Sequence, residues 1–346
     1  MRAAALREGD IVVTEVPEPP APSAGQLQIE VAACGICGSD LSLVKDAENF
    51  VRVAERGRFP LAAFDPTRPV VPGHEYAGTV VAVGSDVADF GVGDLVTGIG
   101  VATDPGTGVP TIIGYSNDYP GGYAERVTVD AGYARHVPDG LSLEAATLAE
   151  PLHVGETHVQ QSGIRADDVA LVIGAGTIGL GVVIALAARE VPLIVVVEPS
   201  PRRRELAQTL GAHVVVEPPS QGPVAAIADL AEGRRVVAYE CSGRAGTLGF
   251  LAENLPFGSA IQVVASPFAE ESFVPVIAQW HQIVINFGSG PVDDPYGRTL
   301  ARLAAGEIDP DLFLTGQVGL DGVARAFEDL KDPEAHVKIL VRPGRR

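Results

Sequence analysis

Val169-Ala170-Leu171-Val172-Ile173-Gly174-Ala175-Gly176-Thr177-Ile178-Gly179 runs from an apolar strand through three glycines into a helix. Five apolar residues make a run that fits a strand buried on both faces. A G-x-G-x-x-G follows at once, and Thr177 and Ile178 open a helical pattern. In that setting each glycine has a physical task. Gly174 allows the tight turn, Gly176 lets the backbone approach a pyrophosphate, and Gly179 lets helix pack on strand, while the helix N-terminus faces the phosphates. A chain with 40 glycines produces such spacing by chance, but Glu198 ends the next apolar run 19 residues after Gly179. A carboxylate there accepts from both ribose hydroxyls of an adenosine. The pattern predicts dinucleotide binding, with NAD preferred because a 2′-phosphate would set like charge against Glu198. Arg202-Arg203-Arg204 follows closely and could attract that phosphate. These guanidiniums are expected at the helix start and surface, with Arg203 flanking the adenine.

Outward from this loop, the period is strand–helix alternation over 152–290. Apolar runs at 169–173, 193–197, 213–216, 236–239 and 260–265 read as parallel strands, and 177–189 and 201–210 as helices between them. Before it, 1–151 reads as β-rich, with strands near 11–13, 28–32, 79–84 and 94–97 punctuated by Pro and Gly. One segment there differs: Leu41, Val44, Ala47, Val51 and Ala54 recur at helical spacing and stop at Gly57, which predicts a helix over 40–56. After 290 come helical patterns near 295–305 and 320–331 and a terminal strand, 337–341. The expectation is a doubly wound α/β domain (152–290) inserted into a β-rich domain made of 1–151 and 291–346.

The β-rich part carries a trail of metal-binding side chains: Gly35-Ile36-Cys37-Gly38-Ser39-Asp40, Gly73-His74-Glu75 and Ala149-Glu150-Pro151. A thiolate, an imidazole and a carboxylate can close three positions around Zn²⁺ and leave a fourth open. Each has an ordinary alternative, as buried thiol, core histidine or helix-start carboxylate. Cys34 is read as a packed small residue, His153 and His158 as structural, and Cys241 as packing beside the dinucleotide loop.

Composition bounds the rest. With 46% apolar residues, 20% charged residues and a net charge of -19, the chain is an ordinary globule that does not suit nucleic acid or an anionic membrane. Lysine is rare, at 45, 331 and 338 only. Three cysteines are too few for a disulfide framework, and the charged first ten residues leave no apolar core for a signal peptide, so a reduced cytoplasmic setting is expected.

With these motifs in this order, the whole chain resembles the medium-chain zinc-dependent alcohol and polyol dehydrogenases, of the sorbitol- and butanediol-dehydrogenase kind. The resemblance implies a GroES-like catalytic domain around a Rossmann domain, and a hydride transfer between a secondary alcohol or polyol and NAD. It makes Cys37 and His74 zinc ligands, Glu150 the third ligand, and Glu75 a ligand or the immediate partner of one. Ser39 becomes the hydroxyl that bonds the substrate oxygen and passes its proton outward. Many members continue that relay through a His five residues after the Cys ligand; here the position is Ser42. Many also hold a structural zinc on four close cysteines, yet 97–123 contains none, so one catalytic zinc and no structural zinc is expected. The long gap from Cys37 to His74, including 59–69, is expected to form a cleft wall or subunit contact, in a homodimer or homotetramer. Two other readings stay open: a metal-free quinone or enone reductase of the same fold, and a non-catalytic cofactor-binding protein.

Overall fold

Val169–Ile173 lies at the centre of a six-stranded, wholly parallel sheet in the computed structural model, which describes residues 1–345 except 60, 63, 219, 221 and 291. The order across the sheet is Val214–Val216, Ile194–Val197, Val169–Ile173, Val236–Glu240, Ala260–Val263 and Val284–Asn286. Chain order therefore reverses direction beside the first strand, the switch point at which doubly wound sheets open a crevice for ligands. The four inner strands are buried at every position because helices cover both faces, which is why they read as apolar runs. The sixth strand, Val284–Asn286, went unread: it is short, and its first residue is exposed at the sheet edge.

The chain forms two compact units, Met1–Glu150 with Leu300–Arg346, and Pro151–Thr299. The second crossing thus falls at 299/300 rather than at the expected 290/291, and Pro291 lies outside the described residues. Side chains explain the shift. Tyr296 packs on His153 at 5.1 Å between ring centroids, Arg298 pairs with Glu156 at 3.5 Å, and the Asp293 amide donates to Gln160. These contacts tie 293–298 to the helix Ala149–Gln161, so the helix Pro295–Ala304 begins in one unit and ends in the other.

The first unit is built on a seven-stranded sheet. Its longest strand, Gln26–Gly35, pairs antiparallel with Glu75–Val83, Arg126–Asp130 and the C-terminal Lys338–Val341. The last pairing sets Leu340 opposite Gly35 and Val341 opposite Cys34. The helix expected over 40–56 is two helices, Gly38–Lys45 and Ala47–Gly57. Asp46 breaks the run: its backbone leaves the helical region (φ −158°, ψ 75°) and its carboxylate accepts from the Asn49 amide, which caps the second helix. Hydrophobic periodicity carries through such a break, so the cap was invisible to it. Within 59–69, residues 60 and 63 lie outside the described residues, while Phe64 is buried against Phe50. Among the described residues, no helix is long and apolar enough to cross a membrane.

Candidate active site

Cys37 stands between the end of the strand Gln26–Gly35 and the start of the helix Gly38–Lys45, at the helix N-cap. The partial positive charge of the helix N-terminus therefore falls on its sulfur. Asp40, in the first turn and fully buried, fixes this corner. One carboxylate oxygen accepts from the Cys37 amide (3.0 Å) and from the Tyr123 hydroxyl (2.7 Å). The other accepts from the Gly73 amide (3.3 Å) and lies 3.7 Å from His74 Nδ1. A single carboxylate thus locks the two motif loops together.

His74 follows a glycine that must be a glycine. Gly73 has φ +101°, and a Cβ there would meet the Tyr123 ring at 2.7 Å and Cys34 Sγ at 3.0 Å. Glu75 opens the next strand, directly opposite Gly35, where any side chain would overlap its carboxylate. Ligand atoms of Cys37, His74 and Glu75 all lie within 4.8 Å of one another. His74 is 9% exposed, and its Nδ1 has no hydrogen-bond partner. Burial pushes the imidazole pKa down, but the charges of Asp40, Cys37 and Glu150 push it up further, and the net shift is well upward. Glu150, in the first turn of the helix Ala149–Gln161, acts on His74, Lys338 and Tyr115 alike.

Two buried groups that matter here were not singled out from the sequence. Lys338 Nζ donates to both Glu75 oxygens, at 2.7 and 2.8 Å, and to the Ile36 carbonyl at 2.9 Å. Its signal was rarity, since one of only three lysines sits in an apolar strand. The other is Tyr115, whose ring packs on His74 at 5.5 Å. Ser39 follows Cys37 by two residues and is half-buried. Ser42 is exposed and donates to the Gly38 carbonyl at 3.2 Å, so its hydroxyl is spent on its own helix. Cys34 is fully buried, with its sulfur under Gly73 and Gly122.

In the other unit, Gly174 has φ +92° and Gly176 caps the helix Thr177–Ala187, in whose first turn Thr177, Ile178 and Gly179 lie. A Cβ at Gly179 would overlap the Gly174 carbonyl, and one at Gly174 would meet Ser242 at 3.1 Å. Glu198 is 4% exposed; its carboxylate accepts from the Ala175 amide at 2.7 Å and the Ser200 amide at 2.9 Å. Arg204 donates to the carbonyls of Glu198 and Pro199, at 2.7 Å each, and the Arg203 amide donates to the Ser200 cap of its helix. His158 is bonded to Gln262 at 2.7 Å beside Gly288, as a structural histidine would be.

Comparison with known proteins fits this geometry. Residues 23–139 match the model of the alcohol dehydrogenase GroES-like domain, and 177–286 that of the zinc-binding dehydrogenases. The (R,R)-butanediol dehydrogenase of Neisseria gonorrhoeae is 32% identical over 99% of this chain and 100% of its own length. The sorbitol dehydrogenase of Bacillus subtilis is 28% identical over 100% of this chain and 98% of its own. Among solved structures, 2R,3R-butanediol dehydrogenase from Bacillus subtilis superposes with a TM-score of 0.81 at 30% identity, covering 99% of both chains. The chain belongs to the zinc-type medium-chain alcohol and polyol dehydrogenase family. It is an oxidoreductase with a GroES-like domain and a Rossmann domain.

Proposed function

We propose that this chain transfers hydride between a secondary alcohol carbon of a polyol and NAD, with one zinc ion at the site around Cys37. The observation that carries this reading is the convergence of the Cys37 thiol, the His74 imidazole and the Glu75 carboxylate within 4.8 Å, with the charge of Glu150 acting on His74. That mixed S/N/O donor set fits Zn²⁺. When bound, the ion polarises a substrate hydroxyl and lowers its pKa. Cys37 and His74 would hold it, with Glu150 as the third ligand that the family resemblance assigns and Glu75, gripped by Lys338, as the carboxylate that the geometry sets beside them. Ser39 takes the hydroxyl proton and hands it to water, since Ser42 is turned away onto Gly38.

In the cofactor domain the loop Gly174–Gly179 would cradle the pyrophosphate. Two of the roughly four lone-pair sites of Glu198 are used on Ala175 and Ser200, which leaves acceptors for the ribose hydroxyls. With Arg204 engaged on carbonyls, the arginine run offers less to a 2′-phosphate than its sequence advertises, which supports NAD.

The test is elemental analysis of metal-replete protein together with NADH formation over a panel of alcohols and polyols. One zinc per chain and turnover on that panel are expected. A ratio near two would reveal a second site, and turnover by metal-free protein would rule the mechanism out.

The homo-oligomer belongs to the same reading. Residues 272–292 contain no Asp, Glu, Lys or Arg in a chain that is 20% charged with net charge -19. Trp280 and Phe287 are each 70% exposed there, beside Phe257 at 67%. A neutral face spares two anionic copies the like-charge repulsion that other faces of the chain would bring, which favours a second copy as its occupant. Sedimentation that shows a monomer for the wild type would overturn this. Three free cysteines support a reducing, cytoplasmic setting.

A further inference from the structure

Glu240 ends the strand Val236–Glu240 and is 2% exposed, although the turn that follows it opens to solvent at Ser242. Its carboxylate folds back under that turn. One oxygen accepts from the Ser242 amide at 2.9 Å, from the Ser242 hydroxyl and from the Gly243 amide at 3.0 Å. The other lies 3.3 Å from the same Gly243 amide. The Glu240 carbonyl accepts from the Val264 and Ala265 amides, both at 2.9 Å, just past the strand Ala260–Val263. One residue thus holds the exits of two neighbouring strands, one through its side chain and one through its backbone.

The held turn lies directly behind the glycine loop. The Cys241 amide donates to the Ile173 carbonyl at 3.0 Å, and a Cβ at Gly174 would stand 3.1 Å from both the nitrogen and the Cα of Ser242. A Cβ at Gly179 would come within 3.4 Å of the Cys241 side chain. Backbone packed this closely on backbone transmits displacement, so the Gly174 turn follows any movement of Ser242. These exits are carboxyl ends of parallel strands beside the point where strand order reverses, where a doubly wound sheet takes its ligand.

The carboxylate is not there to pair with a cation, since the donors around it are a hydroxyl and two amides. Burial, the largest influence, holds its pKa above the usual carboxylate range; the bonds to Ser242 and Gly243 oppose this, and the charge of Glu271 adds to it. Burying an ionised group without a counter-charge is costly, but bonds to an ionised acceptor are roughly twice as strong as neutral ones. The gain is a stiffer turn, which matters where a ligand must meet backbone already in place.

We propose that Glu240 is a positioning residue for the dinucleotide: by fixing the Ser242–Gly243 turn, it sets the Gly174 turn where the loop's backbone meets the pyrophosphate. This rests on the cofactor reading above and deepens it. Glu240 itself touches no ligand. Its effect is selective, because a ligand that carries the pyrophosphate depends on the turn, whereas adenosine brings only the ribose hydroxyls that Glu198 would accept.

The experiment compares full-length, zinc-replete wild type with Glu240→Gln and Glu240→Asp. Gln keeps the size and one acceptor but sets an NH₂ against the Gly243 amide, and Asp keeps the charge but is one methylene too short for the same bonds. Titration of NADH fluorescence, with displacement by ADP-ribose and by adenosine, measures binding. Both variants should raise the Kd of NADH and of ADP-ribose about 10-fold and that of adenosine less than roughly three-fold. In turnover the KM for the dinucleotide should rise by a similar factor without a fall in kcat or zinc content. Wild-type NADH affinity in both variants would overturn the proposal. So would an equal loss for adenosine, which marks general damage to the unit, or wild-type affinity in Glu240→Asp alone, which makes charge rather than reach decisive. A wild type that binds neither NADH nor ADP-ribose defeats the cofactor reading itself, and the Glu240 assignment with it.

Discussion

Lys338→Met should cost the first unit most of its margin of stability. Lys338 and Glu75 are 4% and 1% exposed at the side chain, and the ammonium spends its donors on two carboxylate oxygens and the Ile36 carbonyl. Removal of the lysine leaves Glu75 charged and buried with nothing to replace those bonds. Breaking a buried pair from one side costs about 3–5 kcal/mol, and for a unit of this size each kcal/mol moves Tm by roughly 2–4 °C. A fall of about 10 °C follows. The assay is differential scanning calorimetry on chelator-treated protein, so that no bound ion neutralises the freed carboxylate. Burial lowers the Lys338 pKa, but Glu75, Cys37 and Glu150 raise it more, so the folded value lies above the unfolded one. Such a group contributes fully below the unfolded pKa of ~10.4 and loses its contribution as pH rises through the folded value. The lysine's own contribution is therefore fully present from pH 6 to 9. Adding Glu75→Gln to Lys338→Met removes both charges and should recover about half of the loss. A single variant within 2 °C of wild type, or a double variant whose loss is the sum of the singles, would refute the reasoning.

Glu150→Ala should lose zinc and turnover while still binding cofactor, because the glycine loop is untouched; unchanged zinc content and rate would make Glu150 a structural carboxylate. Glu198→Ala should erode the NAD-over-NADP ratio of kcat/KM by at least tenfold, and a wild type that prefers NADP would show that Glu198 is misassigned. Gly179→Ala should abolish cofactor binding, since its Cβ would overlap the Gly174 carbonyl. Fluorescence titration with NADH measures this, and wild-type affinity would mean that the loop does not cradle the pyrophosphate.

Features set by short-range chemistry could be read along the chain. The Rossmann loop was legible because a buried strand, a three-glycine turn and a helix start all fall within 169–179, and steric need ties each glycine to its place. Cys37, His74 and Glu150 could be singled out one by one because resemblance attaches roles to short motifs, and the structure brings Cys37 and His74 together with Glu75. The split helix at Asp46 and the edge strand Val284–Asn286 were not, since periodicity averages over a cap and fades in a three-residue strand. Only the tertiary structure decided how the trail closes into a site. Gly35 meets Glu75 through antiparallel register, Asp40 ties Cys37 to Gly73, and Lys338 reaches Glu75 across 263 positions. Tyr115 became a wall of the site in the same way, from a loop with no motif at all. The reason is physical: turns and caps are decided by neighbours along the chain, whereas the partner of a buried charge is decided by strand order, and no local pattern records that order.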